Sequence, residues 1–468
     1  MDALIIAGAV RLGHRKAVDV VSGALERAER SKDLCVFTHM QAEQAIARAE
    51  AIDTDVAAGR DPGRLAGVPI AVKDNIAHQG QPLTCASRIL EGYRSPTTAT
   101  ALQRLEEQGA IVIGRTNMDE FGMGSSGENS AFGATKNPLN PAYVPGGSSS
   151  GSAAVVAAGV VPIALGSDTG GSVRQPASFC GVVGLKPTYG RISRSGLVAF
   201  GSSLDQIGPI TRSIRDAAVV THIMAGADPL DSNSLKETMG HLPDERAPSL
   251  VGTVIGLPIQ CWENDGDVDV RRTIRNAITR LEQRGATINM VDIPALDAAI
   301  PCYYLLTSAE AASNLSRFDG IRYGPRNQAD NLLDTYLKTR SERLGPEVQR
   351  RILLGTFALA KGYSDDLYVR ANAVRQWMKA QIDQTLKSVD ALAMPTTPNT
   401  AFLLGDKTAK PIDMYLSDIY TTPPSLTGHP ALSVPAGMLN DMPLGLQLVG
   451  RHQDEATILK LGLIAQDQ

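Results

Sequence analysis

The 468-residue sequence is poor in the features that mark membrane, secreted and nucleic-acid-binding proteins. No apolar run reaches the roughly 18 residues that a membrane-spanning helix needs. The five cysteines are scattered, odd in number and without a C-x-x-C pair, which favours free thiols in a reducing compartment. The formal net charge is −4 without a basic block, and aromatic residues make up 4%, which disfavours autonomous nucleic-acid binding. With no signal-peptide pattern at the N terminus, these absences predict a cytoplasmic protein without membrane contact.

Strand-like and helical patterns alternate along the whole chain. One strand–helix–strand unit spans 67–113, a second spans 251–291, and apolar strand-like runs return at 391–394, 431–434 and 444–449. No internal repeat or low-complexity linker divides the chain. The pattern predicts an α/β fold, in which helices cover both faces of a mixed central β-sheet. We expect a single large domain over residues 1–468.

Two loops rich in glycine and serine, residues 146–152 and 166–172, flank one predicted strand. Glycine loses more freedom on folding than any other residue, so such loops indicate that backbone N–H groups must approach something closely. Phosphate binding is disfavoured, because neither loop ends in Gly-Lys-Ser/Thr and no acidic residue stands at the dinucleotide-binding distance. These residues alone leave two alternatives: helix-capping turns without catalytic function, and acyl transfer by a serine.

Acyl transfer would place Ser172 at the start of a helix, where successive N–H groups can form an oxyanion hole. Such a serine needs a base, and the seven histidines are singly placed, so neither a histidine base nor a metal site is predicted. Lys73 is the stronger candidate, because it ends an apolar strand-like run. An unshifted lysine is neutral at pH 7 only about 0.04% of the time, and burial raises that fraction by disfavouring the charged form.

Three segments together resemble the amidase signature family. They follow one another in the family's order and at its spacing: Val72-Lys73-Asp74-Asn75, Gly146-Gly147-Ser148-Ser149 and residues 166–174. The resemblance implies the fold described above, with a catalytic core over about residues 65–215.

The resemblance also assigns roles to individual residues. Ser172 would be the acyl-forming nucleophile, Ser148 would relay the proton and Lys73 would be the base. The oxyanion hole would consist of backbone N–H groups from Thr169, Gly170, Gly171 and Ser172 itself.

Further segments, including 114–121, 309–315 and 318–324, resemble the glutaminase subunits of tRNA-dependent amidotransferases within this family. In those subunits an arginine and an aspartate hold the α-carboxylate and α-amine of glutamine, and the matching residues here are Arg351 and Asp418. A guanidinium fork suits a carboxylate, although the same pair of residue types also forms ordinary surface salt bridges.

The resemblance implies a heterotrimer in which this chain hydrolyses glutamine and supplies ammonia. ATP and magnesium would bind to a partner subunit, charged tRNA would be contacted mainly through partners, and this chain would carry no cofactor and no metal. The alternative is a stand-alone amidase acting on another small amide, for which Arg351 and Asp418 would have no task. A non-catalytic scaffold is disfavoured, because Lys73, Ser148 and Ser172 are all present.

Overall fold

The structure, a computed structural model, describes residues 2–237, 239, 249–263, 267–362 and 365–466. A mixed β-sheet runs through this part of the chain. Eleven strands in these residues form the sheet: β1 (Phe37–Met40), β2 (Val68–Lys73), β3 (Ala110–Thr116), β4 (Ile163–Asp168), β5 (Val183–Lys186), β6 (Gln206–Thr211), β7 (Val254–Pro258), β8 (Thr287–Val291), β9 (Ala391–Pro395), β10 (Ala431–Leu439) and β11 (Met442–Val449).

The strand order is β1-β3-β2-β4-β6-β5-β10-β11-β9-β7-β8. Strand β2 pairs in parallel with β3 and β4, and β7 pairs in parallel with β8 and β9. The central strands from β4 to β9 pair antiparallel. Two parallel units are therefore joined through an antiparallel centre, which makes the sheet mixed, as the sequence predicts.

The α-helices of the described residues are α1 (Ala3–Arg11), α2 (Ala17–Arg30), α3 (Ala42–Ala57), α4 (Thr100–Glu107), α5 (Ser150–Ala157), α6 (Arg174–Cys180), α7 (Ile214–Met224), α8 (Ile259–Trp262), α9 (Val268–Gln283), α10 (Ala299–Asn314), α11 (Leu332–Arg343), α12 (Pro346–Ala358), α13 (Arg370–Thr385), α14 (Pro411–Tyr415), α15 (Thr422–Thr427) and α16 (Glu455–Ala465). A π-helical turn, Asp365–Val369, precedes α13. None of the described helices combines the length and the apolar character needed to cross a membrane.

Strand β9 shows how helices cover both faces of the sheet. Successive side chains of a strand point to opposite faces. Ala391 and Ala393 pack in the apolar cluster that contains residues of α9 and α16, whereas Leu392 and Met394 pack in the cluster of α10 and α13. The predicted α/β class, with helices on both faces of one sheet, is confirmed.

Pattern-based prediction located most elements but missed several. The helix predicted at 17–30 has those bounds in the structure, whereas β6 was not predicted, because a glycine and a proline interrupt its apolar pattern. Helix α10 was missed because it is buried on most sides and therefore lacks an apolar stripe. Tertiary burial, rather than periodicity, defines these two elements.

The topology brings the two glycine-rich loops to one edge of the sheet. Strands β2 and β4 are parallel neighbours, with Val72 opposite Leu165, so their carboxyl ends meet at that edge. Lys73 ends β2, and Asp168 ends β4 immediately before the second loop. Helix α5 begins at Ser150, two residues after the cis peptide bond between Gly147 and Ser148. Chain segments far apart in sequence therefore converge on one place.

The contact between α10 and α12 depends on the small size of Gly355. A Cβ atom at this position would overlap the Ser308 carbonyl oxygen. We expect Gly355→Ala to lower the free energy of unfolding by about 1–3 kcal/mol, because the helices must separate. In the control Gly8→Ala, a new Cβ in α1 meets no atom within 4 Å, so stability should be unchanged or raised by about 0.5–1 kcal/mol. Denaturant unfolding compares the two variants, and equal effects would contradict the close helix contact.

Candidate active site

Lys73 lies inside the protein at the end of a strand whose six residues are all buried. Its side chain has no exposed area. The amine contacts three hydroxyl groups, at Nζ–Oγ distances of 2.8 Å to Ser148, 2.9 Å to Ser149 and 3.0 Å to Ser167. It also donates to the Ser167 carbonyl oxygen at 3.3 Å. The predicted base is therefore held by both glycine- and serine-rich loops rather than by solvent.

Burial lowers the pKa of Lys73 to about 7, and the carboxyl groups of Asp119, Asp168 and Asp205 oppose this effect. Removing an ammonium group from water disfavours its charged form, while nearby negative charges favour it. Burial is the larger effect here. A substantial fraction of Lys73 is therefore neutral near pH 7, as a general base requires.

The hydrogen bonds around Lys73 identify which hydroxyl can give it a proton. Ser149 Oγ donates to the Ser167 carbonyl oxygen at 3.2 Å, so it accepts from Lys73. Ser148 Oγ has Lys73 Nζ as its hydrogen-bond partner and no other among the described residues. When Lys73 is neutral, its lone pair can accept the proton of Ser148.

Ser172 lies beside this group in the loop between β4 and α6. Its carbonyl oxygen accepts from the Ser149 N–H at 3.2 Å, and its side chain is largely buried, with the residue 8% exposed. In the described residues, no hydrogen bond joins the hydroxyls of Ser172 and Ser148. The structure therefore places the three predicted residues in one cluster. Lys73 and Ser148 are hydrogen-bonded, whereas the hydroxyls of Ser148 and Ser172 are not.

A buried ion pair holds the loop that carries Ser172. Arg174 donates to both carboxylate oxygens of Asp168, at 3.0 and 2.9 Å, and both side chains lack exposed area. Arg174 also donates to Ser425 and Gln447, at 2.7 and 2.6 Å. The Asp168 carboxylate in turn accepts the Val173 N–H at 3.2 Å. These interactions tie the loop to α15 and to β11.

One of the four N–H groups expected to form the oxyanion hole already has a hydrogen-bond partner within the protein. The Gly171 N–H donates to Asp168 Oδ1 at 2.9 Å and is therefore engaged within the loop instead of facing a substrate. The sequence could not reveal this bond, because it depends on how the Asp168 side chain folds back. Gly170 and Gly171 are sterically required: a Cβ at Gly170 would lie 2.5 Å from the Tyr303 ring, and one at Gly171 would overlap Thr421.

Arg351 projects from α12 into an aromatic enclosure. Its guanidinium carbon lies 4.9 Å from the centre of the Tyr304 ring, and the residue is 3% exposed. Its Nε donates to Glu347 Oε1 at 2.8 Å. The two Nη groups make no hydrogen bond within the described part of the chain. Arg351 is thus a buried cation whose two Nη groups remain available to a ligand, which distinguishes it from an arginine in an ordinary surface salt bridge.

Asp418 is a buried carboxyl group near Arg351. One oxygen accepts a hydrogen bond from Ser125, and the other has no hydrogen-bond partner among the described residues. Burial raises the pKa of Asp418 to about 7, while the Ser125 hydrogen bond and the Arg351 charge act in the opposite direction. An unpartnered buried oxygen of this kind is suited to a hydrogen-bond donor from a ligand.

Sequence reasoning missed two kinds of residue that shape the site. It did not assign roles to Asp168 and Arg174, although both stand in the recognised segment 166–174. It also missed Asp119 and Asp205, which accept backbone N–H bonds from Gly127 and Gly201 and oppose the pKa shift of Lys73. Asp119 stands in the resembling segment 114–121, and Asp205 lies outside the resembling segments; the sequence assigned neither a role, because their partners come from tertiary contacts.

Comparison with known proteins identifies the family of this chain. The family model named Amidase matches residues 19–459. The chain is 50% identical over 449 residues to the A subunit of glutamyl-tRNA(Gln) amidotransferase from Gloeobacter violaceus, covering 95% of this chain and 92% of that protein. It is 48% identical over 445 residues to the protein of the same name from Geobacillus thermodenitrificans, with coverage of 95% and 92%.

Solved structures give the same result. The A subunit of glutamyl-tRNA(Gln) amidotransferase from Thermotoga maritima superposes with a TM-score of 0.79 at 39% identity, covering 95% of this chain and 90% of that one. A crystal structure described as an amidase superposes with a TM-score of 0.84 at 31% identity, covering 99% of each chain. Because the family model and these relatives match nearly the whole chain, the protein belongs to the amidase signature family.

Proposed function

We propose that this chain is the glutaminase subunit of a tRNA-dependent amidotransferase. It would hydrolyse glutamine through an acyl-enzyme on Ser172 and supply ammonia for the amidation of Glu-tRNA(Gln), Asp-tRNA(Asn) or both. The observation that carries the proposal is the fully buried Lys73 amine, which lies 2.8 Å from Ser148 Oγ beside the loop of Ser172. The name of the curated relatives, at 50% and 48% identity, supports the choice of substrate and product.

In the proposed reaction, neutral Lys73 withdraws the proton of Ser148, which accepts the proton of Ser172. The Ser172 oxygen attacks the side-chain amide carbon of glutamine, and the N–H groups of Thr169, Gly170 and Ser172 stabilise the resulting oxyanion. The Gly171 N–H remains donated to Asp168 and keeps the loop in shape. The proton returns through Ser148 to the departing ammonia, and water then releases glutamate from Ser172.

Recognition of glutamine would rest on Arg351 and Asp418. The available guanidinium fork of Arg351 would bind the α-carboxylate, and the unpartnered Asp418 oxygen would accept a hydrogen bond from the α-ammonium group. The ammonium charge would also favour the ionised form of Asp418, whose pKa burial has raised to about 7. An uncharged amide would gain from neither interaction.

The proposal extends to the assembly around this chain. Two other subunits would complete a heterotrimer, one of them binding ATP and magnesium, and charged tRNA would be contacted mainly through them. This chain would carry no cofactor of its own and would work in the cytoplasm. Its catalytic core would comprise about residues 65–215 of one domain spanning residues 1–468. The curated relatives are named as one component of an amidotransferase, which supports a multi-subunit enzyme.

A glutaminase assay with and without the two partner subunits and charged tRNA tests the proposal. We expect glutamine hydrolysis that increases when partners and charged tRNA are added, because the activities of the subunits in such an enzyme must be coordinated. Hydrolysis of small neutral amides but not of glutamine, unaffected by partners, would instead identify a stand-alone amidase.

Replacement of the nucleophile gives the first prediction. Ser172→Ala should lower kcat for glutamine by roughly 10,000-fold or more, because no acyl-enzyme can form. The unfolding curve should be unchanged, and the exposed Ser388→Ala variant should retain full activity. Substantial turnover by the Ser172 variant would exclude the assigned nucleophile.

Replacement of Arg351 separates substrate recognition from chemistry. Arg351→Ala should lower kcat/KM for glutamine roughly 10- to 100-fold more than for a small neutral amide, because only glutamine offers a carboxylate to the guanidinium. The neighbouring Arg350, whose side chain is 49% exposed, provides the matched control Arg350→Ala. Equal losses on both substrates would argue against a carboxylate site.

The pH dependence follows from the pKa of Lys73, which burial lowers to about 7. The base works only when neutral, so kcat/KM for a small neutral amide should rise with pH, about tenfold per unit below pH 7, and level off above it. With glutamine the rise should be steeper, because Asp418 must also be ionised. Asp418→Asn should remove the extra steepness and leave the neutral-amide profile unchanged. A flat neutral-amide profile from about pH 6 to 8 would contradict Lys73 as the base.

A further inference from the structure

Three side chains from distant parts of the chain converge outside the active site. Asp383 lies in α13, His429 precedes β10, and His452 follows β11. Nε2 of His429 lies 3.0 Å from Oδ1 of Asp383, and Nε2 of His452 lies 3.9 Å from the same oxygen. One donor atom from each residue lies within 4.8 Å of the others. No sequence pattern indicates this group, since the histidines are far from Asp383 along the chain.

The tautomer of His429 follows from its hydrogen bonds. Thr427 Oγ1 donates its proton to the Pro423 carbonyl oxygen at 2.8 Å, because a carbonyl can only accept. The contact of 2.8 Å between Thr427 Oγ1 and His429 Nδ1 therefore requires Nδ1 to be the donor. In the neutral ring, Nε2 then presents a lone pair to the Asp383 carboxylate, which is also an acceptor.

The lone pair of His429 Nε2 and the Asp383 carboxylate oxygen repel each other at 3.0 Å unless a positive species lies between the two atoms. Lys379 Nζ donates to Asp383 Oδ2 at 2.6 Å and offsets part of the carboxylate charge, but its hydrogen bond does not go to Oδ1, the oxygen that the histidines face. In addition, Nε2 of His452 is buried and has no hydrogen-bond partner among the described residues.

We propose that Asp383, His429 and His452 bind a divalent transition-metal ion of the Zn²⁺ class. Two imidazole nitrogens and one carboxylate oxygen are ligands that such ions accept in proteins. The Thr427 hydroxyl serves as the outer hydrogen-bond partner that fixes the ring of a metal-ligating histidine. The side chains of Asp383 and His452 are 39% and 31% exposed, so water can reach a fourth coordination position.

The site would have a structural role. The ion would join α13 to the segments that precede β10 and follow β11. Helix α15, which leads into the His429 segment, contacts the active-site loop through the 3.0 Å bond from Ser425 Oγ to Asp168 Oδ1. Metal binding would therefore stabilise the C-terminal part of the sheet without any part in the chemistry at Ser172.

Binding of Zn²⁺ to the full-length, chelator-treated protein tests the proposal. Isothermal titration should show one equivalent bound, and at a hundredfold excess over the dissociation constant the unfolding temperature should rise by roughly 3 °C. Co²⁺ in place of Zn²⁺ should give the visible absorption of a low-coordinate site with nitrogen ligands. No saturable binding to the unaltered protein would overturn the proposal and leave the proposed glutaminase function untouched.

Variants locate the bound ion. His452→Ala, at a partly exposed position, should weaken Zn²⁺ binding at least tenfold and abolish the rise in unfolding temperature, and Asp383→Asn should do the same. The exposed His14→Ala provides the matched control and should bind like the unaltered protein. If His452→Ala and Asp383→Asn fold normally and bind Zn²⁺ with unchanged affinity, the ion lies elsewhere and the assignment is wrong.

Discussion

Burial of a single amine among hydroxyl groups is the constraint on which the rest of this structure depends. Lys73 reaches its position only because β2 is buried along its whole length between β3 and β4. Its charge is disfavoured there, and burial lowers its pKa to about 7. The surrounding carboxyl groups limit the shift, because they favour the charged form. The amine is therefore both a hydrogen-bond donor to Ser149 and a potential acceptor for Ser148.

The remaining machinery keeps the loops around that amine in place. Asp168 is the centre of this arrangement, since it pairs with Arg174 and accepts the N–H groups of Gly171 and Val173. Losing one partner of a buried pair costs about 3–5 kcal/mol, because the other charge is left without compensation. The loop that carries Ser172 is thus held by interactions whose loss the fold tolerates poorly. This rigidity suits a site in which catalysis depends on position.

The sequence predicts catalytic roles where the chemistry lies in short segments. Lys73, Ser148 and Ser172 stand in three such segments and the structure places them in one cluster, while their catalytic roles stay a prediction. Sequence-based prediction failed where a role depends on a side chain's tertiary partner. The Gly171 N–H is engaged by Asp168, and Asp119 and Asp205 act on the charge of Lys73 although the sequence assigned them no role. The convergence of Asp383 with His429 and His452 could not be predicted from the sequence for the same reason.

Local patterns in the chain were enough to establish the class of fold, because strand and helix periodicity need no distant partner, whereas the candidate residues came from those patterns together with the resemblance to the amidase signature family. Three further properties emerged only from the folded chain: Lys73 is buried, Arg351 keeps its fork available inside an aromatic enclosure, and Asp418 has an unpartnered oxygen. The difference arises because desolvation depends on everything packed around a group. A pKa, an available donor or an empty acceptor position is therefore set by residues that are remote in sequence and adjacent only in space.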